Sequence, residues 1–120
     1  MRRSRQLKPL SSEHHHALLV AFQLKQSLAG HAESAGAPRD LPGLVGLVRR
    51  FAVQVLSTHA RTEEDVLGSY LAPADLERLR AEHLQLARLV EAAGGQNQAE
   101  QRAALAAFAD LLERHVRWEE

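Results

Sequence analysis

The 120-residue sequence contains no cysteine, which excludes disulfides, thiolate zinc sites and iron–sulfur ligation. It is also poor in aromatics, at 4%, while Leu and Ala dominate the 45% that is apolar. That palette suits helices better than strands. An excess of one charge is missing too: 15 basic residues cancel 15 acidic ones. No strong field therefore points to nucleic acid or to an anionic membrane. No apolar run reaches the roughly 18 residues that span a bilayer. The basic start, Met1-Arg2-Arg3-Ser4-Arg5, is not followed by a continuous apolar segment, so it does not read as a secretory signal. Neither nucleic acid nor membrane is expected as a partner, the protein partner stays unknown, and the expected location is cytoplasmic. The length fits one domain with a single core. Residues 1–9 read as a basic flexible N-terminal tail and residues 10–120 as the domain.

What the chain has in unusual number is histidine, seven in all. Two of them open near-copies of one pattern, His59-Ala60-Arg61-Thr62-Glu63 and His115-Val116-Arg117-Trp118-Glu119. Four residues along a helix is a little over one turn, so imidazole and carboxylate project from one face. A metal ion wants that arrangement of neutral nitrogen and anionic oxygen donors on a rigid element.

Four helices are expected. The first runs from about Leu10 to Ala29, with Ser11 or Ser12 near its start and Gly30 at its end. Its apolar side reads Leu7, Leu10, Leu18, Ala21 and Leu28, with His14 in the gap. After a Gly-, Ala-, Ser- and Pro-rich loop, Asp40 caps a second helix over about Leu41 to Leu67. Its inner stripe is Leu44, Val48, Phe51, Val55, His59, then Thr62 or Glu63, and Val66. The third helix, about Ala74 to Ala93, carries Leu76, Leu79, His83, Leu86 and Val90 on one face. The fourth, about Ala99 to the end, reads Leu105, Phe108, Leu112, His115 and Glu119. No segment alternates at period two, so a sheet has no support. The fold class is all-α, an antiparallel up-and-down four-helix bundle built from two similar helical hairpins.

One histidine thus falls on each apolar stripe: His14, His59, His83 and His115. Glu63 and Glu119 follow one turn beyond two of them. Burying two carboxylates without compensation costs several kcal/mol each, and a cation supplies that compensation. The hairpins repeat one plan, since Glu13-His14 and Glu82-His83 each precede a His-x-x-x-Glu helix. Four imidazoles and two carboxylates fit two metal ions with bridging carboxylates, and such donors suit iron, manganese or zinc better than calcium or magnesium. His15, His16 and His31 read as exposed, although His15 competes with His14 for the stripe. Glu64 and Glu120 read as surface residues rather than partners of the ligands. Tyr70 is placed by packing near the Gly68 to Pro73 turn, or else approaches the site. Glu119 sits on a last helical turn expected to fray.

The sequence resembles the hemerythrin-like family, the HHE cation-binding domain, over nearly its whole length. The resemblance lies in Leu10-Ser11-Ser12-Glu13-His14, His59-Ala60-Arg61-Thr62-Glu63-Glu64, Ala81-Glu82-His83-Leu84-Gln85-Leu86 and His115-Val116-Arg117-Trp118-Glu119-Glu120. It implies a non-haem di-iron centre with an oxo or hydroxo bridge and two carboxylate bridges. Carried over position by position, the ligands are His14, His59, Glu63, His83, His115 and Glu119. It also implies a small diatomic ligand or peroxide as partner, with oxygen, nitric oxide or peroxide bound or sensed, or iron stored. Oxygen-carrying hemerythrins have His-x-x-x-His on the third helix, whereas four residues either side of His83 stand Leu79 and Ala87. Reversible oxygen carriage is therefore not expected. The alternatives are a di-iron oxidase or peroxidase-type enzyme, and a zinc-bound or metal-free structural bundle. Only Glu13 to His16 has the Glu-x-x-His spacing of carboxylate-rich oxidases, and no His-Glu-x-x-His occurs, so binding is favoured over catalysis.

Overall fold

Apolar residues spaced at three and four build every long element of the protein, seen in a computed structural model that describes residues 11–119, with side chains from Glu13. The expected tail, Leu7 and Leu10 lie outside the described residues. Helix α1 spans Ser11–Leu28 and the short α2 spans Ala32–Ala35. A long rod follows, made of α3 (Leu41–Phe51), a π-helical segment (Ala52–Leu56) and α4 (Ser57–Leu67). Then come α5 (Pro73–Ala93) and α6 (Gln98–Glu119). Among the described residues there is no strand, and no helix is long and apolar enough to cross a membrane.

Local chemistry sets the ends. Gly30 closes α1 with φ at 90°, a left-handed conformation that glycine adopts without steric cost. The His31 amide then bonds back to the Gln26 carbonyl at 2.7 Å. Asp40 caps α3 as expected, its side chain accepting from the Gly43 amide at 2.9 Å. Asn97 does the same for α6, accepting from the Glu100 amide at 3.1 Å. Pro73 opens α5, where its missing N–H costs nothing.

Helix α6 is the spine, packing along both α1 and α5, while the α3–α4 rod lies more lightly against its neighbours. The main core gathers Val20, Leu24, Leu44, Val48, Phe51, Leu86, Leu105, Phe108 and Leu112. A second, smaller cluster holds Leu67 and Leu79, with Leu71, Leu76 and Trp118 packed against them. His59 and Glu63 lie between the two clusters along the rod, as His83 does along α5. The polar layer is therefore closed by apolar packing at both ends.

The rod departs from the expected unbroken α-helix, and phase explains why. At about 100° per residue, the line His59, Glu63, Leu67 would drift roughly 90° away from the line Leu44, Val48, Phe51. A π turn holds one residue more than an α turn, which sets everything after it back by about 100°. The extra residue is accommodated outward: Val53 and Gln54 are exposed, while Leu56, His59, Glu63 and Leu67 are buried. The insertion thus keeps the inner stripe continuous across both halves of the rod.

Deleting Gln54 should therefore convert the segment to ordinary α-helix and leave His59, Glu63 and Leu67 facing inward. Circular dichroism should show undiminished helix and a melting temperature within a few degrees of the parent. Deleting Ala60 instead turns Glu63 and Leu67 outward by about 100° and should cost about 3 kcal/mol or more. Equal losses from the two deletions would refute the phase argument.

Candidate metal centre

Six polar or charged side chains are buried among the described residues: His14, His59, Glu63, His83, His115 and Glu119. They are the six picked out by the stripes and the resemblance, and they meet in one layer. His14 comes from α1, His59 and Glu63 from α4, His83 from α5, and His115 and Glu119 from α6. His14 rather than His15 faces inward, because Ala17, Val20, Ala21 and Leu24 form the buried line of α1 and His15 and His16 fall outside it. On α4 it is Glu63, not Thr62, that is fully buried. Tyr70 does not approach the layer and is 70% exposed. His31 is exposed in its loop.

Glu63 stands at the centre. Its Oε1 lies 3.0 Å from His59 Nε2, 3.1 Å from His83 Nε2 and 3.8 Å from His115 Nε2. Its Oε2 lies 3.8 Å from His14 Nε2. Glu119 Oε1 faces the other side, 3.0 Å from His115 Nε2 and 3.5 Å from His14 Nε2. The imidazoles form two like pairs. His14 and His59 have ring centroids 4.9 Å apart at 62°, and His83 and His115 are 4.9 Å apart at 64°. The repeat of the two hairpins is thus visible in the ring geometry itself.

Hydrogen bonding satisfies only part of the layer, as where His83 Nε2 meets Glu63 Oε1 at 3.1 Å. Both His14 nitrogens, His115 Nε2, Glu63 Oε2 and both Glu119 oxygens are buried with no hydrogen-bond partner. Such atoms normally cost one to a few kcal/mol each, and buried polar groups are rarely left this way (about one in ten or fewer). Of these, His14 Nε2, His115 Nε2, Glu63 Oε2 and Glu119 Oε1 lie against one another inside the cluster. The donors also sort into two sets with one atom per residue, all atoms of a set within 4.8 Å: His14, His59, Glu63 and Glu119, and then Glu63, His83 and His115. Neutral nitrogens and carboxylate oxygens gathered this way fit a cation of the first transition row.

The outer nitrogens are held by carboxylates nearer the surface. His59 Nδ1 pairs with Glu13 Oε2 at 2.6 Å, His115 Nδ1 with Glu82 Oε1 at 2.7 Å, and His83 Nδ1 with Glu64 Oε2 at 2.8 Å. A carboxylate there fixes the ring orientation and tautomer, leaving Nε2 unprotonated and aimed inward. This layer was missed in the sequence reading, which used Glu13 and Glu82 only as markers of the repeat and placed Glu64 at the surface. The available signal was their adjacency: each precedes or follows an inward residue by one, so its side chain can reach the neighbouring helix. The counterpart of Glu64 in the repeat, Glu120, lies outside the described residues. Arg78 completes one chain of contacts, with Nε 3.0 Å from Glu82 Oε2 and its guanidinium carbon 4.3 Å from the centre of the Trp118 ring. Trp118 packs into the smaller apolar cluster, and α6 stays helical through Glu119, which is 0% exposed. The expected fraying of that turn is not seen, because Trp118 and the buried carboxylate anchor it.

Burial pushes the Glu63 carboxyl up, but the imidazoles of His115, His14, His59 and His83 gathered around it outweigh that and hold the group far below the usual carboxylate range. Burial pushes His59 down, and Glu63 and Glu13 together outweigh it, leaving its pKa above 6.5. Glu82 is likewise raised by burial and lowered more by His115 and Arg78.

The family model of the hemerythrin HHE cation binding domain matches residues 6–120. No curated protein and no solved structure matches the chain significantly.

Two outcomes test this geometry. Glu82→Gln should weaken metal retention about 10–100-fold, read by competition with a chelator, because His115 loses its orienting anion; unchanged retention would deny Glu82 that role. The second concerns pH. With no metal, a raised His59 pKa gives stability that is complete below 6.5 and is lost as pH rises through the folded value. A depressed Glu63 gives stability present above 4.5 and lost as pH falls through its folded value. The melting temperature of metal-free protein should therefore decline as pH rises above about 6.5, whereas that of metal-loaded protein should rise, because protons compete with the cation for imidazole. Parallel profiles would contradict the assignment.

Proposed function

Because this chain belongs to the hemerythrin family of HHE cation-binding domains, we propose that its buried layer holds two metal ions, iron by preference, within an antiparallel four-helix bundle of two like hairpins. His14 and His59 would hold one ion and His83 and His115 the other, with Glu63 and Glu119 shared, since Glu63 lies within 4 Å of all four imidazoles and Glu119 Oε1 lies 3.5 Å from His14 and 3.0 Å from His115. Zinc or manganese would fit the same donors. The observation that carries the reading is the set of inward-facing nitrogen and oxygen atoms left without hydrogen-bond partners at the centre of the layer.

Two iron ions would supply redox chemistry and open positions for a small oxygen- or nitrogen-centred ligand. The chain's own residues supply the setting. Glu13, Glu64 and Glu82 orient the imidazoles, and the apolar clusters on either side exclude water. A cavity of about 10 Å³ adjoins the layer, lined by Phe51, Val55, Leu56, Leu112 and Val116 beside His14, His59 and His115. That is about the smallest space that admits one water-sized molecule, and most of its wall is apolar, with Ala17 and Glu13 completing the lining. Oxygen or nitric oxide suits such a place better than a charged ligand, and peroxide suits it less. We read the protein as a module that binds, senses or scavenges a diatomic ligand rather than as a reversible oxygen carrier, since the third helix offers Ala87 rather than a second histidine one turn after His83.

Protein produced with added iron and no histidine tag should carry close to two ions per chain by elemental analysis, with ferric absorption in the near ultraviolet after exposure to air. Glu63→Ala should empty the site more completely than Glu119→Ala, which should leave one ion bound and the other labile. Well-folded protein holding less than about half an equivalent of any metal would overturn the reading.

A further inference from the structure

A second, larger cavity lies on the outside of the same layer. It is an open groove of about 630 Å³ between the π segment with the start of α4 on one side and α5 on the other. Its walls are mostly small or apolar, with Ala52, Val53, Ala60, Ala87 and Val90 prominent; Arg49, Ser57 and Glu91 also line it, and His83 does so too, so the groove touches the layer at one imidazole. This is the seam where the rod lies only lightly against α5.

Leu56 lines both the groove and the 10 Å³ inner cavity. It is the last residue of the π segment and is 9% exposed. Its neighbours one turn away on the rod are Ala52 and Ala60, which also border the groove, as Ala87 does from α5. No large side chain at these three positions opposes a swing of the leucine toward the groove, and leucine changes rotamer without breaking any hydrogen bond. Leu56 is thus the one residue that lines both spaces, the groove on one side and the space beside His14, His59 and His115 on the other.

We propose that the groove is the way in for a small uncharged diatomic molecule and that Leu56 is the gate between it and the inner cavity. The proposal rests on the reading of the site as a diatomic-ligand centre. The gate selects by chemistry as well as size. Passage requires leaving water for a space walled by Leu56, Phe51 and Val55, a transfer that is nearly free for oxygen or nitric oxide and strongly opposed for an anion.

The test uses metal-loaded protein and two independent readouts. Crystals pressurised with xenon, an apolar probe larger than water, should show the gas in the inner cavity of Leu56→Ala, where truncation enlarges the space, but none in Leu56→Trp. Stopped-flow binding of nitric oxide should quicken roughly tenfold in Leu56→Ala and slow roughly tenfold in Leu56→Trp. Ala87→Phe fills the groove from the exposed face of α5, leaves the core untouched, and should also slow binding. That variant keeps the test open if either Leu56 variant fails to fold. Nitric oxide rates unchanged in Ala87→Phe and Leu56→Ala, with metal content intact, would overturn the gate. Protein that admits xenon as described yet holds no metal would instead overturn the function proposed above while leaving the route standing.

Discussion

Two carboxylates stand fully buried in the middle of a helical protein, each within reach of imidazole nitrogens rather than of water. The rest of the molecule answers that constraint. Isolated charges in such a place cost several kcal/mol each, so positive charge must come from within the layer or from an ion bound in it. The imidazoles around Glu63 hold its carboxyl low, and Glu63 with Glu13 raises His59. A cation serves better, because it satisfies both carboxylates and all the inward nitrogens at once. The main apolar core seals the layer on one side and the cluster of Leu67 and Leu79 seals it on the other. Without both seals, water would screen the carboxylates and nothing would force the donors together.

Much of this was legible in the residues. Spacing of three and four placed His59, His83 and His115 on inner faces, and Asp40 marked its helix start by simple capping chemistry. His14 was the least secure of the four, and the packing of Ala17, Val20, Ala21 and Leu24 decides between it and His15. What spacing could not reveal is where a helix changes its own period. The π segment leaves no motif behind, only a stripe that would drift if every residue advanced by the same angle. Glu64 was hidden for a different reason. Its side chain is half-exposed by its own helix and becomes a partner only because α5 brings His83 alongside, and such pairing belongs to tertiary structure. The same holds for Glu119, where the local sequence argues for fraying and the packing of Trp118 overrides it.

The internal repeat also explains an asymmetry. Glu13 and Glu82 occupy equivalent places and each holds the histidine of the following helix, with nearly equal distances of 2.6 and 2.7 Å. The two hairpins are therefore alike in how they orient a ring. They differ in what surrounds the rings, since the donors divide four and three between the two sets. Ring geometry is thus nearly equal in the two sets while donor number is not.

Trp118 gives the molecule a property separate from its chemistry. It is the sole tryptophan of the chain, and its ring lies 6.2 Å from that of His115 and against the guanidinium of Arg78. An open-shell ion held by His115 would sit within quenching range of the indole, whereas a closed-shell ion would leave its emission largely intact. The fold thus carries its own optical gauge. Loading, loss and exchange of the cation can be followed by fluorescence in dilute solution, with no label and no second tryptophan to confuse the signal.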